Sequence, residues 1–91
     1  VEISYDAAKC EWNLAERGLS FERAVDFDFE TALHGIDDRR DYGEVRRQAL
    51  GWLDGRLHML VYVETVTGIR VISFRRANKR EARRYEQATR S

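Results

Sequence analysis

Proline is absent from the 91 residues, and cysteine and methionine occur once each. Without proline every turn falls to Gly, Asp and Asn. The lone Cys10 excludes an intramolecular disulfide and fits a reducing compartment. No apolar run approaches the ~20 residues of a membrane span. The start, "VEISYDAAK", has neither the basic opening nor the apolar stretch of a secretory leader. The expectation is a cytoplasmic protein without membrane association. Net charge is missing too, because sixteen basic residues balance sixteen acidic ones.

That zero conceals a division. Residues 1–45 carry twelve acids and five bases, a net of −7, while residues 46–91 carry eleven bases and four acids, a net of +7. Either the fold presents an acidic and a basic surface, suited to different partners, or the halves neutralise each other within it. The sequence leaves both open. At 43% hydrophobic and 35% charged residues the composition is that of a folded globular protein, not a disordered one. A chain of this length is expected to be a single domain, 1–91, with one core and no need of a metal or disulfide.

"EISY" is a strand candidate, and Asp6 can cap a helix over "AAKCEWNLAER" that Gly18 stops. Ala7, Cys10 and Leu14 form its inward stripe. Ser20 can cap a second helix, "FERAVDFDF", with Phe21, Ala24 and Val25 on one face. The period then changes. "TALHGI" reads as a strand, "DDRRDYG" as a polar loop, and "EVRRQALGWL" as a second strand. Asp54-Gly55 is a two-residue hairpin signal leading into "RLHMLVYVE", and Thr67-Gly68 turns that strand into "IRVISFRR". Asn78 and Glu81 in "NKRE" form a capping-box variant for a last helix with Ala82, Tyr85 and Ala88 inward. The expected fold is α+β: an antiparallel meander with two N-terminal helices and one C-terminal helix.

If the helices cover one sheet face, the other can display polar groups. Strand alternation puts Ser73 and Arg75 there, opposite Ile72 and Phe74, together with Glu44, Arg46 and Gln48. A carboxylate, guanidinium groups and a hydroxyl on one surface suit metal-free RNA cleavage. That reaction needs a base for the ribose 2′-OH, cationic forks for the crowded phosphorane and an acid for the leaving oxygen. Arginine fits the second task because its planar fork matches two phosphate oxygens. Glu44 is the candidate base, and Lys9 a source of charge or of a proton. The ordinary reading of Glu44 and Arg46 is a surface ion pair.

His34 and His58 lack partners at ligand spacing, so the sequence calls for no metal and no other cofactor. Cys10, on the helix stripe, reads as core filler. Trp12 and Trp52 have the character to stack on bases, although core or partner contacts are the commoner use of tryptophan.

In this order and spacing the residues resemble the BrnT-type toxins of bacterial type II toxin–antitoxin systems. The resemblance runs through "YDAAK", Asn13, Gly18, "LSFERA", "EVR", Gly51 and "RVISFRRANKREARRY". It implies a RelE-like fold and a ribonuclease that halts translation by cutting RNA. It also implies a BrnA-type antitoxin with a DNA-binding domain, repression of the operon through operator DNA bound by that antitoxin, and a 2:2 assembly. Carried onto this chain, the functional positions are Lys9, Glu44, Arg46, Arg70, Ser73 and Arg75. Arg76, Lys79, Arg80 and Arg83 are assigned to RNA binding; on the helix, Lys79, Arg80, Arg83 and Arg84 serve either long-range attraction or an antitoxin contact. Ala7 stands where relatives often have proline, and Cys10 and Trp12 lie in a segment usually more polar. Simple alternation puts Arg70 on the opposite face from Ser73 and Arg75. Either a β-bulge re-aims it, or Arg70 is structural and pairs with an acid. Two other readings remain: a nucleic-acid- or ribosome-binding module that cuts nothing, and a structural partner of a DNA-binding antitoxin.

Overall fold

Asp6 turns the chain from strand to helix. Its carboxylate accepts the Lys9 amide at 3.1 Å and so closes the first turn of α1 (Ala7–Arg17), directly behind β1 (Glu2–Tyr5). Gly18 ends α1 in the left-handed region at φ 66°, its amide bonded to Leu14 O at 2.9 Å. Both ends stand where the sequence puts them. The structure is a computed structural model and describes residues 2–90.

The inward face of α1 differs from the expected stripe. Cys10 and Asn13 are buried, whereas Ala7 is exposed and Leu14 is 53% exposed. The reason is a demand for donors. Asn13 Nδ2 donates to Leu19 O and to Phe74 O, both at 2.8 Å. Carbonyls shielded from water need such a partner, and a leucine offers none. The next segment, Phe21–Asp26, is a 3-10 helix and not the expected α-helix, although Ser20 caps it as anticipated by accepting the Glu22 amide at 3.2 Å. At three residues per turn Phe21, Ala24 and Phe27 align, and all three are buried. Val25, placed inward by an α-helical count, is exposed.

β2 (Leu33–Asp37), β3 (Arg46–Leu53), β4 (Arg56–Glu64) and β5 (Gly68–Arg76) form the expected antiparallel meander. Asp54 and Gly55, at φ 51° and 75°, make a β3–β4 turn whose two central residues are both left-handed, the geometry that strand twist favours. β1 joins differently. It lies parallel to β5, with Glu2 opposite Gly68 and Tyr5 opposite Val71, and the sheet order is β1-β5-β4-β3-β2. The sheet is therefore mixed, which corrects the purely antiparallel expectation. Parallel neighbours require a long crossover, so no turn signal could mark this pair. Gly68 is needed there because a Cβ would run into the Glu2 backbone.

Helical segments cover both faces of the sheet, not one. The first N-terminal layer packs Phe21, Ala24 and Phe27 against Ala49, Leu60 and Phe74. On the other face α2 (Lys79–Thr89) docks through Tyr85 onto Leu50, Met59 and Val61. The Tyr85 hydroxyl donates to Thr31 O at 2.9 Å and accepts the Trp52 indole N–H at 3.0 Å. The expected capping box closes α2, with Asn78 and Glu81 each accepting the other's amide. α2 covers only part of its face, and the remainder holds the groups of interest.

Gly51 marks where the first layer presses closest. A Cβ there would lie 2.8 Å from Ala32 Cβ and 3.0 Å from Asp28 O. Gly51→Ala should cost about 1–3 kcal/mol by overpacking. Gly35→Ala, with open space at its Cβ, should change stability by less than ~0.5 kcal/mol. Urea unfolding of the two variants measures the contrast.

Candidate functional site

The alternation of β5 breaks at one residue. Val61 pairs with Ser73 and Tyr62 with Val71, so Ile72 is an extra residue in the ladder. Such a bulge resets which face each side chain takes. Ile69 and Val71 before it, and Phe74 after it, all enter the first core. Arg70, Ser73 and Arg75 consequently share the opposite face, and Ile72 packs on that side against the second core. The sequence-based placement of Ile72 beside Phe74 is corrected, and Arg70 is re-aimed as the bulge alternative required.

Two cavities open on this face. One, of about 330 Å³, is lined by Arg46, Gln48, Ile72, Ser73, Arg75 and Glu81 among others. The second, of about 340 Å³, is lined by Tyr5, Lys9, Arg46, Arg70 and Ile72 among others. They meet at Arg46 and Ile72. Of the residues expected from sequence, Lys9, Arg46, Arg70, Ser73 and Arg75 thus line one continuous depression, and Glu44 binds two of its arginines. Glu44 Oε1 accepts Arg70 Nη2 at 2.6 Å, and its Oε2 accepts Arg46 Nε at 3.4 Å. The Arg70 hydrogen bond, then that residue's charge and the weaker pull of Arg46, hold the Glu44 carboxyl below its ordinary range, against an opposing effect of burial. Arg70 is therefore both re-aimed by the bulge and paired with an acid.

Arg75 and Arg46 have further partners. Arg75 makes a two-pronged bond to Glu81, at 2.8 and 2.9 Å, and Glu81 is at the same time the capping residue of α2. The guanidinium of Arg46 lies 4.0 Å from the centre of the Tyr42 ring, a cation–π contact. The Tyr42 hydroxyl donates to Asp37 Oδ2 at 3.3 Å, and Asp37 accepts two bonds of 2.8 Å from Arg39. Only 4% of Asp37 is exposed. Its carboxyl is pulled down to about 2, chiefly by the Arg39 hydrogen bond, against the cost of burial. This Asp37–Tyr42–Arg46 chain is missing from the sequence reading, which saw "DDRRDYG" as a loop. The only signal was an aromatic among charges of both signs.

The other positions divide. Arg76 points to the far side of the sheet from Arg75, opposite His58 in the ladder. Lys79, Arg80 and Arg83 are exposed on α2 and line neither cavity. Arg84 does line the first. A second unforeseen contact is Arg17, whose Nη1 lies 3.5 Å from Ser73 Oγ. His58 is buried, bonded through Nδ1 to Arg56 O at 2.9 Å, and Cys10 is a core residue, as expected of the cysteine. Among the described residues no three His, Cys, Asp or Glu side chains are grouped as metal ligands would be. No helix among the described residues is long and apolar enough to cross a membrane. The two charge halves are partly joined, through Glu44 to Arg46 and Arg70 and through Arg23 to Asp54.

These features define a class: a small α+β protein with an arginine-lined depression, braced by carboxylates, on one face of a mixed sheet. The model of the family described as "Ribonuclease toxin, BrnT, of type II toxin-antitoxin system" matches residues 5–81, and the chain belongs to that family. Membership makes it a ribonuclease toxin whose counterpart is a protein antitoxin. No curated protein and no solved structure matches the chain. The family region contains all six residues from Lys9 to Arg75 and ends at Glu81, the partner of Arg75.

Asp37 makes the brace sensitive to acid. Its folded value of about 2 lies below the ~3.9 of an unfolded aspartate. Its contribution is therefore complete above about pH 4 and is lost as pH falls through about 2. Thermal unfolding of wild type should show Tm falling across that window, and Asp37→Asn should start lower at neutral pH and fall less steeply within it.

Proposed function

We propose that this ribonuclease toxin is an endoribonuclease that works without metal, and that the six gathered residues are its catalytic set. The single observation supporting this most strongly is the alignment of Arg70 with Arg46, Ser73 and Arg75 around one depression. In the proposed reaction Arg46, Arg70 and Arg75 bind the scissile phosphate and offset the charge that builds on its oxygens. Glu44 removes the proton from the adjacent 2′-OH. The resulting oxyanion attacks phosphorus in line, the bond to the 5′-oxygen breaks, and that oxygen takes a proton from Lys9. The products are a 2′,3′-cyclic phosphate and a free 5′-hydroxyl. Ser73 hydrogen-bonds a non-bridging oxygen. Because Arg70 and Arg46 lower the Glu44 carboxyl, the base is ionised throughout the neutral range and needs no alkaline pH to act.

The arginines bound to Glu44 and Glu81 hold carboxylates where a phosphate would sit. Substrate binding is then an exchange of one anion for another on preset guanidinium forks. The same surface suits the inhibitor. An acidic segment of a BrnA-type antitoxin would cover the depression by charge and shape together, with Arg76, Lys79, Arg80 and Arg83 adding long-range attraction for RNA or antitoxin. In this reading the protein is a cytoplasmic, single-domain toxin of RelE-like fold. It assembles with its antitoxin as a 2:2 complex that represses the operon at operator DNA.

The first experiment is cleavage of a defined RNA with EDTA present, with the 3′ ends mapped and Arg75→Ala as the control for contaminating nuclease. The expected outcome is fragments ending in 2′,3′-cyclic phosphate from wild type only. Glu44→Gln should slow cleavage by roughly 10²–10⁴-fold, the usual contribution of a general base, while binding of uncleavable RNA is kept or strengthened. Bound but intact RNA, unaffected by added ribosomes, would assign the chain to the non-catalytic reading. Undiminished cleavage by Glu44→Gln would remove Glu44 from the base role.

A further inference from the structure

Trp12 stands out among the large apolar side chains because it is 54% exposed on α1 and yet walls a cleft. The cleft, of about 230 Å³, is lined by Lys9, Trp12, Arg17, Ile72 and Ser73 among others. It shares Ile72 and Ser73 with one cavity of the arginine face, and Lys9 and Ile72 with the other. A path therefore runs from the phosphate-binding groups to the indole without leaving the surface depression. Trp52 offers a contrast: its ring N–H is spent on Tyr85 and its ring is edge-packed on the same residue. Trp12 has no such tie among the described residues. Only the Arg17 guanidinium attends it, 5.1 Å from the ring centre.

We infer that this cleft is a subsite for one unpaired nucleobase next to the scissile phosphate, an inference that rests on the ribonuclease reading above. Three observations carry it. The volume falls short of the ~300–1,000 Å³ of sites for drug-sized ligands and suits one planar ring system. The wall is an exposed aromatic face flanked by a guanidinium, the combination on which bases stack irrespective of their identity. The floor offers a hydrogen-bonding group for a base edge: Arg17 Nη1 bridges Asn13 Oδ1 at 3.4 Å and Ser73 Oγ at 3.5 Å, which leaves the Nε and Nη2 hydrogens of Arg17 unengaged among the described residues. Asn13 is fixed in place by its two bonds to Leu19 O and Phe74 O. A base in a duplex has both faces occupied, so the subsite selects single-stranded RNA.

The test uses Trp52→Phe protein, in which Trp12 is the sole tryptophan. Trp12 emission is followed on titration with a single-stranded 2′-O-methyl oligoribonucleotide, which lacks the attacking hydroxyl. The expected result is quenching by the single strand and none by the same sequence as a duplex or by inorganic polyphosphate. Trp12→Ala, made in the wild-type background, should weaken single-strand binding roughly tenfold or more without changing its salt dependence, because stacking releases no counterions. Should the single strand bind, and bind less well to Arg75→Ala, while Trp12 emission and the Trp12→Ala affinity stay unchanged, the subsite is wrong and the phosphate-binding reading survives. Trp12 emission that responds only to the antitoxin protein would likewise overturn the subsite in favour of a partner contact. If neither strand nor polyphosphate binds and Arg75→Ala behaves as wild type, the ribonuclease reading of this face falls and takes the subsite with it.

Discussion

The pairing of Val61 with Ser73 and of Tyr62 with Val71 leaves Ile72 without a partner, and the rest of the site depends on that surplus residue. Without a break in the ladder, strict alternation would either turn Phe74 out of the first core, or turn Val71 out of it and Arg70 into the apolar layer beneath the N-terminal helices. Burying a guanidinium there unpaired would be far more costly than the local loss of ladder bonds. The extra residue lets Ile69, Val71 and Phe74 face inward and Arg70, Ser73 and Arg75 face outward. It also puts an isoleucine where the surface cavities meet, giving the charged face an apolar centre.

The charges on that face are organised before any ligand arrives. Glu44 holds Arg70 and Arg46, Glu81 holds Arg75, and Asp37 reaches Arg46 through Tyr42. Long side chains carry substantial rotamer entropy, so fixing them in advance would lower the cost of the phosphate binding proposed for them. The same carboxylates balance the charge of the face and would compete with the proposed phosphate. Glu81 also caps α2, so the geometry of Arg75 and the start of the last helix are two consequences of one carboxylate.

Much of this was legible in the residue order. Local rules act over a few residues, and Asp6, Gly18, Ser20, Asp54-Gly55 and the Asn78–Glu81 box satisfy their own backbone groups whatever surrounds them. Alternation likewise placed Arg46, Gln48, Ser73 and Arg75 together, since the period of two holds along any regular strand. The errors lie where a distant element decides. Asn13 replaced Leu14 as the inward residue because carbonyls at Leu19 and Phe74 needed donors. Val25 turned outward because its segment winds at three residues per turn.

Element order, turns, caps and the motif series that marks a ribonuclease toxin of the BrnT family can all be read from the residue order, because each is written in neighbouring residues. That β1 runs parallel to β5, that α2 takes the opposite face from α1, and that Arg70 joins Ser73 and Arg75 emerges in the folded molecule alone. Those three outcomes depend on contacts between residues far apart in the chain, whose free energies belong to pairs and layers and to no single local pattern.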